Sequence, residues 1–143
     1  MRVTTKTIYA LQLLLALADR ARISRAPLHL REIAETYSLP FKFLEQIAIS
    51  LKGAGWIHGQ RGKEGGYVLS VDPALLTVGQ VIRLLEGESG SLRLVPSNPV
   101  EEAIENILSR CRVAIESVVD GTTLIQLADD VRRLRPLDPE YQI

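Results

Sequence analysis

The sequence is poor in thiol and imidazole side chains. Its 143 residues include one cysteine, Cys111, and two histidines, His29 and His58. A single cysteine excludes an intramolecular disulfide framework. Zinc and iron–sulfur sites take four ligands, which one cysteine and two distant histidines do not supply within one chain. We therefore expect no metal ion and no cofactor.

Long hydrophobic runs are also missing. No apolar segment reaches the roughly 18 residues that a membrane-spanning helix needs, since the longest candidate, residues 8–18, contains Tyr9 and Gln12. The N-terminus carries Arg2 and Lys6 but no secretory pattern with a small-residue cleavage site. We expect a cytoplasmic protein without membrane contact, built as one domain or as a small domain with an appendage.

The sequence shows no catalytic constellation. Neither histidine has an evident cysteine or serine partner, and no pair of carboxylates stands out at a catalytic spacing. We therefore predict that the protein is not an enzyme.

Charge is distributed unevenly although the net charge is zero. Residues 1–70 carry ten lysines and arginines against five acidic side chains, which gives +5, and residues 71–143 carry seven against twelve, which gives −5. Such asymmetry is typical of a chain whose basic half binds a polyanion such as nucleic acid. A chance distribution over a solvated surface is the alternative.

Residues 28–69 have the order of a winged helix-turn-helix. Two short helical patterns, Leu30–Tyr37 and Phe41–Gly53, are separated by a tight turn. Two strand patterns, Trp56–Gln60 and Tyr67–Ser70, follow and are joined by a basic, glycine-rich loop. This order predicts a mainly α fold with a small β-wing, in which the second helix of the pair enters a DNA major groove.

The second helix separates an apolar face from a polar one. At about 100° per residue, four apolar side chains share the face that should pack inward: Leu44, Ile47, Ala48 and Leu51. Lys42, Gln46 and Ile49 lie opposite, with Glu45 at the flank, and Pro40 fits the first helical position. Glutamine pairs with adenine, lysine with guanine or phosphate, and glutamate accepts from cytosine. An ordinary solvated polar face is the alternative.

The loop at residues 61–66 suits contact with a DNA backbone. Its three glycines let the main chain approach phosphate, while Arg61 and Lys63 supply positive charge. It lacks the Gly-Lys-Ser/Thr ending of a nucleotide-binding loop. The candidate DNA-binding residues are Lys6, Pro40, Phe41, Lys42, Glu45, Gln46, Arg61 and Lys63.

Helical patterns flank this unit on both sides. One runs from a Thr4 or Thr5 cap to about Ala21, with an inward stripe of Ile8, Leu11, Leu14, Leu15 and Ala18 that Leu13 and Leu17 widen. A shorter one follows a Thr77 cap. Residues 87–98 read as a linker, so we expect a DNA-binding domain at residues 1–87. Residues 88–143 would then hold the linker, a long dimerisation helix and a C-terminal helix.

The long helix begins at an Asn98 cap with Pro99 in its first position and runs to about Asp120. Five of its residues are spaced 3, 4, 3 and 4 apart, which is typical of a coiled-coil interface. We call them the seam: Ile104, Ile107, Cys111, Ala114 and Val118. The seam predicts a homodimer, and packing onto the chain's own N-terminal domain is the alternative.

Taken together, these motifs resemble the Rrf-two family of bacterial transcription regulators. The resembling segments lie at residues 4–11, 31–35, 43–46, 61–69, 76–82 and 123–128. The most specific is Arg-Gly-Lys-Glu-Gly-Gly-Tyr-Val-Leu at residues 61–69. The resemblance covers most of the chain and implies a winged helix-turn-helix dimer with crossed long helices, bound to double-stranded DNA. It also implies that Glu45, in the family's Leu-Glu-Gln pattern, helps to read the sequence.

The chain departs from this family's cluster-binding members at one place. Those members carry three cysteines in the loop before the long helix and at its start, and residues 87–98 hold none. Cys111 lies mid-helix, where it behaves as a small apolar residue. The resemblance is therefore to the cluster-free members, some of which respond to a small-molecule effector or a partner enzyme.

We expect a sequence-specific, homodimeric transcriptional regulator. A winged-helix module that binds protein rather than DNA is the alternative, because a fold does not fix a function. Cations on both the helix and the wing, at Lys42, Arg61 and Lys63, favour DNA, since an interaction module does not need them.

Overall fold

The structure is a computed structural model that describes residues 2–62, 65–87 and 93–136. Its elements follow in the order α1 (Thr5–Ile23), α2 (Leu30–Tyr37), α3 (Phe41–Gly53), β1 (Ile57–Gln60), β2 (Gly66–Leu69), α4 (Val78–Glu86), α5 (Pro99–Asp120) and α6 (Leu124–Leu134). The prediction of a mainly α fold with a small β-wing is confirmed. No helix among the described residues is long and apolar enough to cross a membrane.

The core forms around α1, which contacts α3, α4, α6 and β2. Ala10, Leu13 and Leu14 are 0% exposed and lie on the face that these neighbours cover. The predicted inward stripe is wrong at Ile8, which is 49% exposed. Because α1 is apolar around most of its circumference, periodicity alone does not select its buried face, and the packed neighbours do.

The turn between α2 and α3 fixes the start of the second helix. Ser38 adopts a left-handed conformation with φ 55°, and the Leu39 amide donates to the Ala34 carbonyl at 2.8 Å. Pro40 is the residue that precedes α3 rather than the first helical residue, a correction of one position. The predicted inward face of α3 is confirmed, since all four of its residues are at most 2% exposed.

The wing is a two-stranded antiparallel sheet in which Ile57 pairs with Leu69 and Gln60 pairs with Gly66. A third segment extends it, because the Leu28 amide donates to the Tyr67 carbonyl and the Tyr67 amide donates back to the Leu28 carbonyl, both at 2.9 Å. The loop between α1 and α2 therefore fastens strand β2 of the wing to the helical core.

Two capping boxes lie side by side where the C-terminal half meets the rest of the chain. The Thr77 and Thr123 side chains accept from the backbone amides of Gln80 and Gln126, whose side chains accept in return. The two caps lie side by side, and Leu124, 1% exposed, belongs to the main core. The domain boundary near residue 87 remains a prediction, and α6 shares a core with the first 87 residues.

A carboxylate at the end of α4 holds the N-terminus of α1. One Glu86 oxygen accepts from the Thr4 hydroxyl, from the Thr4 amide at 2.9 Å and from the Thr7 hydroxyl at 2.7 Å. The Thr4 hydroxyl therefore bonds to Glu86 and makes no side-chain cap on α1. These hydrogen bonds from Thr4 and Thr7 lower the pKa of Glu86 to about 2, because they favour the ionised carboxylate.

We expect Glu86→Gln to lower the melting temperature at pH 7, because an amide oxygen is a weaker acceptor than a carboxylate. A carboxyl whose pKa is lowered on folding stabilises the protein above its ordinary pKa of 4.5 and loses this contribution as pH falls toward 2. The difference in melting temperature between the wild type and the variant should therefore be constant above about pH 5 and shrink as pH falls. Thermal melts by circular dichroism between pH 2 and 7 measure it, with Glu102→Gln, at an exposed glutamate of α5, as the control. A difference that persists unchanged at pH 2 would contradict the assignment.

Candidate nucleic-acid interface

The outward face of α3 presents four side chains to solvent. Lys42, Glu45, Gln46 and Ile49 are all exposed, and the residues on the opposite face form the core. Lys42 and Gln46 lie one helical turn apart, as do Glu45 and Ile49. The face therefore combines an ammonium, a carboxylate, an amide and an apolar group, and each type has a complementary partner on a base edge in the major groove.

A groove lies between this face, the start of α2 and the wing. It is open, with a volume of about 380 Å³, and its lining residues are His29, Leu30, Arg31, Phe41, Glu45, Ile49, Gly66 and Tyr67. Three separate elements thus converge on one concave surface, with base-reading candidates of α3 on one side and the start of β2 on the other.

Arg31 is a cation of this groove that was missing from the predicted set. Its guanidinium carbon lies 4.3 Å from the centre of the Phe41 ring, which is a cation–π geometry. Phe41 is half-buried against the core and holds the guanidinium beside the start of α3. The sequence signal was present, since Arg31 opens the motif at residues 31–35 that carries the family resemblance.

The first turn of α1 also lies near α3. Tyr9 packs edge-to-face on Phe43, with ring centres 5.6 Å apart. Lys6 lies one turn before Tyr9 and is exposed, with Glu86 close enough for its charge to act on that carboxylate. Lys6 therefore lies beside the end of α4, and its membership of the DNA-binding set remains a prediction.

Only part of the predicted DNA-binding set of the wing lies within the described residues. Arg61 is exposed directly after β1. Lys63 lies outside the described residues. The Gly65 amide donates to the Gly62 carbonyl at 3.0 Å, and Gly62 and Gly66 have φ of 113° and 136°, which favour glycine. The loop's glycines are therefore needed for its backbone path.

The seam of α5 faces away from the rest of the chain. None of the residues of α5 is buried. Ile104, Ile107 and Val118 are 47%, 50% and 67% exposed, and Cys111 and Ala114 are exposed as well. A different face of α5, which includes the half-buried Leu108 and Arg112, is turned toward the chain itself. Packing of the seam onto its own N-terminal domain is therefore not what the described residues show.

Comparison with known proteins gives a consistent result. The sequence model of the Rrf2 family, described as an iron-dependent transcriptional regulator, matches residues 3–130. The HTH-type transcriptional regulator CymR of Bacillus subtilis is 36% identical over 128 residues, which cover 90% of each protein. A solved structure of that regulator, titled as the global cysteine regulator, superposes with a TM-score of 0.80 at 34% identity, over 90% of this chain and 97% of the other. IscR of T. potens superposes with a TM-score of 0.77 at 30% identity, over 99% and 96%.

The donor set of this chain does not fit the iron that the family description mentions. Cys111, the only cysteine, is exposed in the middle of α5. Among the described residues, no three histidine, cysteine or acidic side chains are grouped so that they could hold a metal ion. Residues 87–98, where the resemblance led us to look for the cysteines of cluster-binding members, contain none. A cysteine-ligated cluster therefore has no ligand set within one chain.

We expect Gly66→Ala to destabilise the protein by about 1–3 kcal/mol, a typical cost of a strained backbone position. Its φ is 136°, and an added Cβ would lie 2.7 Å from the Leu28 carbonyl oxygen. Gly59→Ala is the matched control on the partner strand, because its Cβ would meet the Tyr67 ring at an ordinary 3.7 Å. Chemical denaturation of both variants measures the free energies of unfolding. Equal stabilities would show that the fastening of the wing at Leu28 does not require glycine.

Proposed function

The chain belongs to the Rrf2 family of transcriptional regulators, and we propose that it binds its operator as a homodimer whose two α3 helices enter successive major grooves. As in its relatives, the activity is DNA-binding regulation and not catalysis. One observation carries the proposed mode of binding: the exposed face of α3, the Arg31–Phe41 pair and the start of β2 line one groove.

Each part of this surface has a chemical role in the proposal. Gln46 pairs with adenine, Glu45 accepts from cytosine and Lys42 contacts guanine or phosphate. Lys6, Arg61 and Lys63 neutralise phosphates, and Arg31 adds to them. Pro40 and Phe41 set the start of α3 and come close to the backbone there. Base contacts of this kind specify a sequence, whereas phosphate contacts fix the orientation of the protein on the duplex.

Dimerisation follows from the unpaired seam. A 22-residue helix with no buried residue and an exposed apolar stripe of heptad spacing needs a partner to remove that stripe from water. A second copy of the same helix supplies the complementary surface, because a two-fold interface is self-complementary. Two copies would place two α3 helices on the two half-sites of one operator.

We further propose that the regulator works in the cytoplasm without an iron–sulfur cluster and that its signal is a small-molecule effector or a partner enzyme. The proposal that no cluster is bound rests on the missing cysteine ligands. A winged-helix module that binds protein instead of DNA is the alternative. The exposed cations on α2, α3 and the wing favour DNA over that alternative.

The DNA-binding proposal is tested by fluorescence anisotropy with DNA from upstream of the protein's own gene and with a scrambled duplex, over a salt series. We expect selective binding that weakens with salt. Gln46→Ala should lose about 1–3 kcal/mol of discrimination per half-site, the value of a bidentate base contact. Arg61→Ala should weaken both duplexes and lower the salt slope by about one per protomer.

Arg133→Ala on α6 is the charge-matched control, because that arginine is exposed and pairs with Asp130. It should leave both affinities unchanged. Equal binding of the wild type to both duplexes would contradict base reading by Gln46. If neither duplex binds, selection from random-sequence DNA decides the case, and failure to enrich any site would favour the protein-binding alternative.

For the dimer, we expect Ile107→Glu to convert the protein to a monomer, because a carboxylate buried in an apolar interface costs several kcal/mol. Val113→Glu is the control: Val113 is an exposed apolar residue of the same helix, at 62%, that lies off the seam. Sedimentation velocity distinguishes monomer from dimer, and anisotropy should show that Ile107→Glu binds the operator far more weakly. A wild-type monomer, or two variants that behave alike, would refute the seam as the interface.

A further inference from the structure

One apolar side chain lies in the middle of the polar face of α3. Ile49 is 71% exposed, whereas the inward residues of the same helix are at most 2% exposed. It is the one large apolar side chain that α3 leaves exposed, and it lines the groove beside Glu45 and Phe41. By the helical period, Ile49 falls between Glu45 on one side and Lys42 and Gln46 on the other.

Among the residues that the structure describes, none covers Ile49, which stays 71% exposed. It is not part of the core, which α3 reaches through its opposite face. The seam lies on α5, a separate helix. An isoleucine therefore occupies the place among base-reading candidates where a polar side chain would be solvated at no cost.

The major groove presents one apolar group on its base edges, the 5-methyl group of thymine. We infer that Ile49 contacts this methyl group, so that each operator half-site contains a thymine which the protein selects over the other bases at that place. The inference rests on the proposed DNA binding by α3 and deepens it from a binding surface to a sequence element.

The spacing along α3 also locates this thymine. Ile49 follows Glu45 by one helical turn, which is about 6 Å at 1.5 Å per residue. Base pairs are about 3.4 Å apart along the duplex. The thymine should therefore lie within about two base pairs of the cytosine that Glu45 reads.

The test uses the full chain and the duplex that it selects from random-sequence DNA. Each thymine of the half-site is replaced by deoxyuridine, which removes the 5-methyl group and leaves the pairing edge intact. Each substitution is made at the same position in both half-sites. At one such position the affinity of the wild type should fall about threefold to fourfold per half-site, the value of one buried methyl-sized group. Ile49→Ala should bind the thymine duplex more weakly and should not distinguish thymine from uracil at that position.

Leu75→Ala is the matched control, since Leu75 is also 71% exposed but lies outside α3. It should keep the wild-type preference for thymine. The inference is overturned if no uracil substitution weakens wild-type binding, if Ile49→Ala keeps the same preference, or if the selected half-site has no thymine within reach of Glu45's base. Failure of the wild type to select any duplex would instead refute the proposed function itself.

Discussion

The burial of α1 is the constraint on which the rest of the structure depends. This helix, in which Leu13 and Leu14 are 0% exposed, packs against α3 and also supports β2, α4 and α6. Removal of this apolar surface from water is the dominant favourable contribution to the fold. Because one face of α3 packs into this core, its other face is exposed to solvent and carries mostly polar side chains.

The chain uses the same division of faces twice. In α3 the inner face is apolar and the exposed face is mostly polar, which suits a surface that meets DNA. In α5 one face is half-buried toward α4 and another remains apolar and exposed, which suits a surface that meets a second copy. The two helices are connected through α4, which contacts both α1 and α5, and the Arg83–Asp120 ion pair, at 2.8 Å, links α4 to α5. The helix that carries the seam thus packs on α4, and α4 packs on the helix that supports α3.

The family description and the residues of this chain differ on iron. Membership rests on the match over residues 3–130 and on the shared fold. A cluster depends on ligands at particular positions, and this chain lacks them. The fold is therefore shared with the relatives, whereas a cluster would need individual ligand residues that this chain lacks.

The sequence by itself determined the features that depend on near neighbours along the chain. The bounds of α2 and α3, the Thr77 and Asn98 caps and the inward face of α3 were all predictable, because hydrogen bonds and periodicity within a helix join residues three or four positions apart. The wing was predictable within one residue at each strand end, since its glycines mark the turn.

Only the tertiary structure decided which distant groups meet. The outward position of Ile8, the pairing of Leu28 with Tyr67, the stacking of Arg31 on Phe41 and the bonding of Thr4 to Glu86, 82 residues away, follow from packing between elements. A cap motif predicts that a threonine hydroxyl forms a hydrogen bond near the start of a helix. It does not predict whether the partner is a backbone amide of that helix or a carboxylate that the fold brings beside it. Interactions between near neighbours in the chain thus specified the helices and their faces, and the burial of α1 set the arrangement of the helices in space.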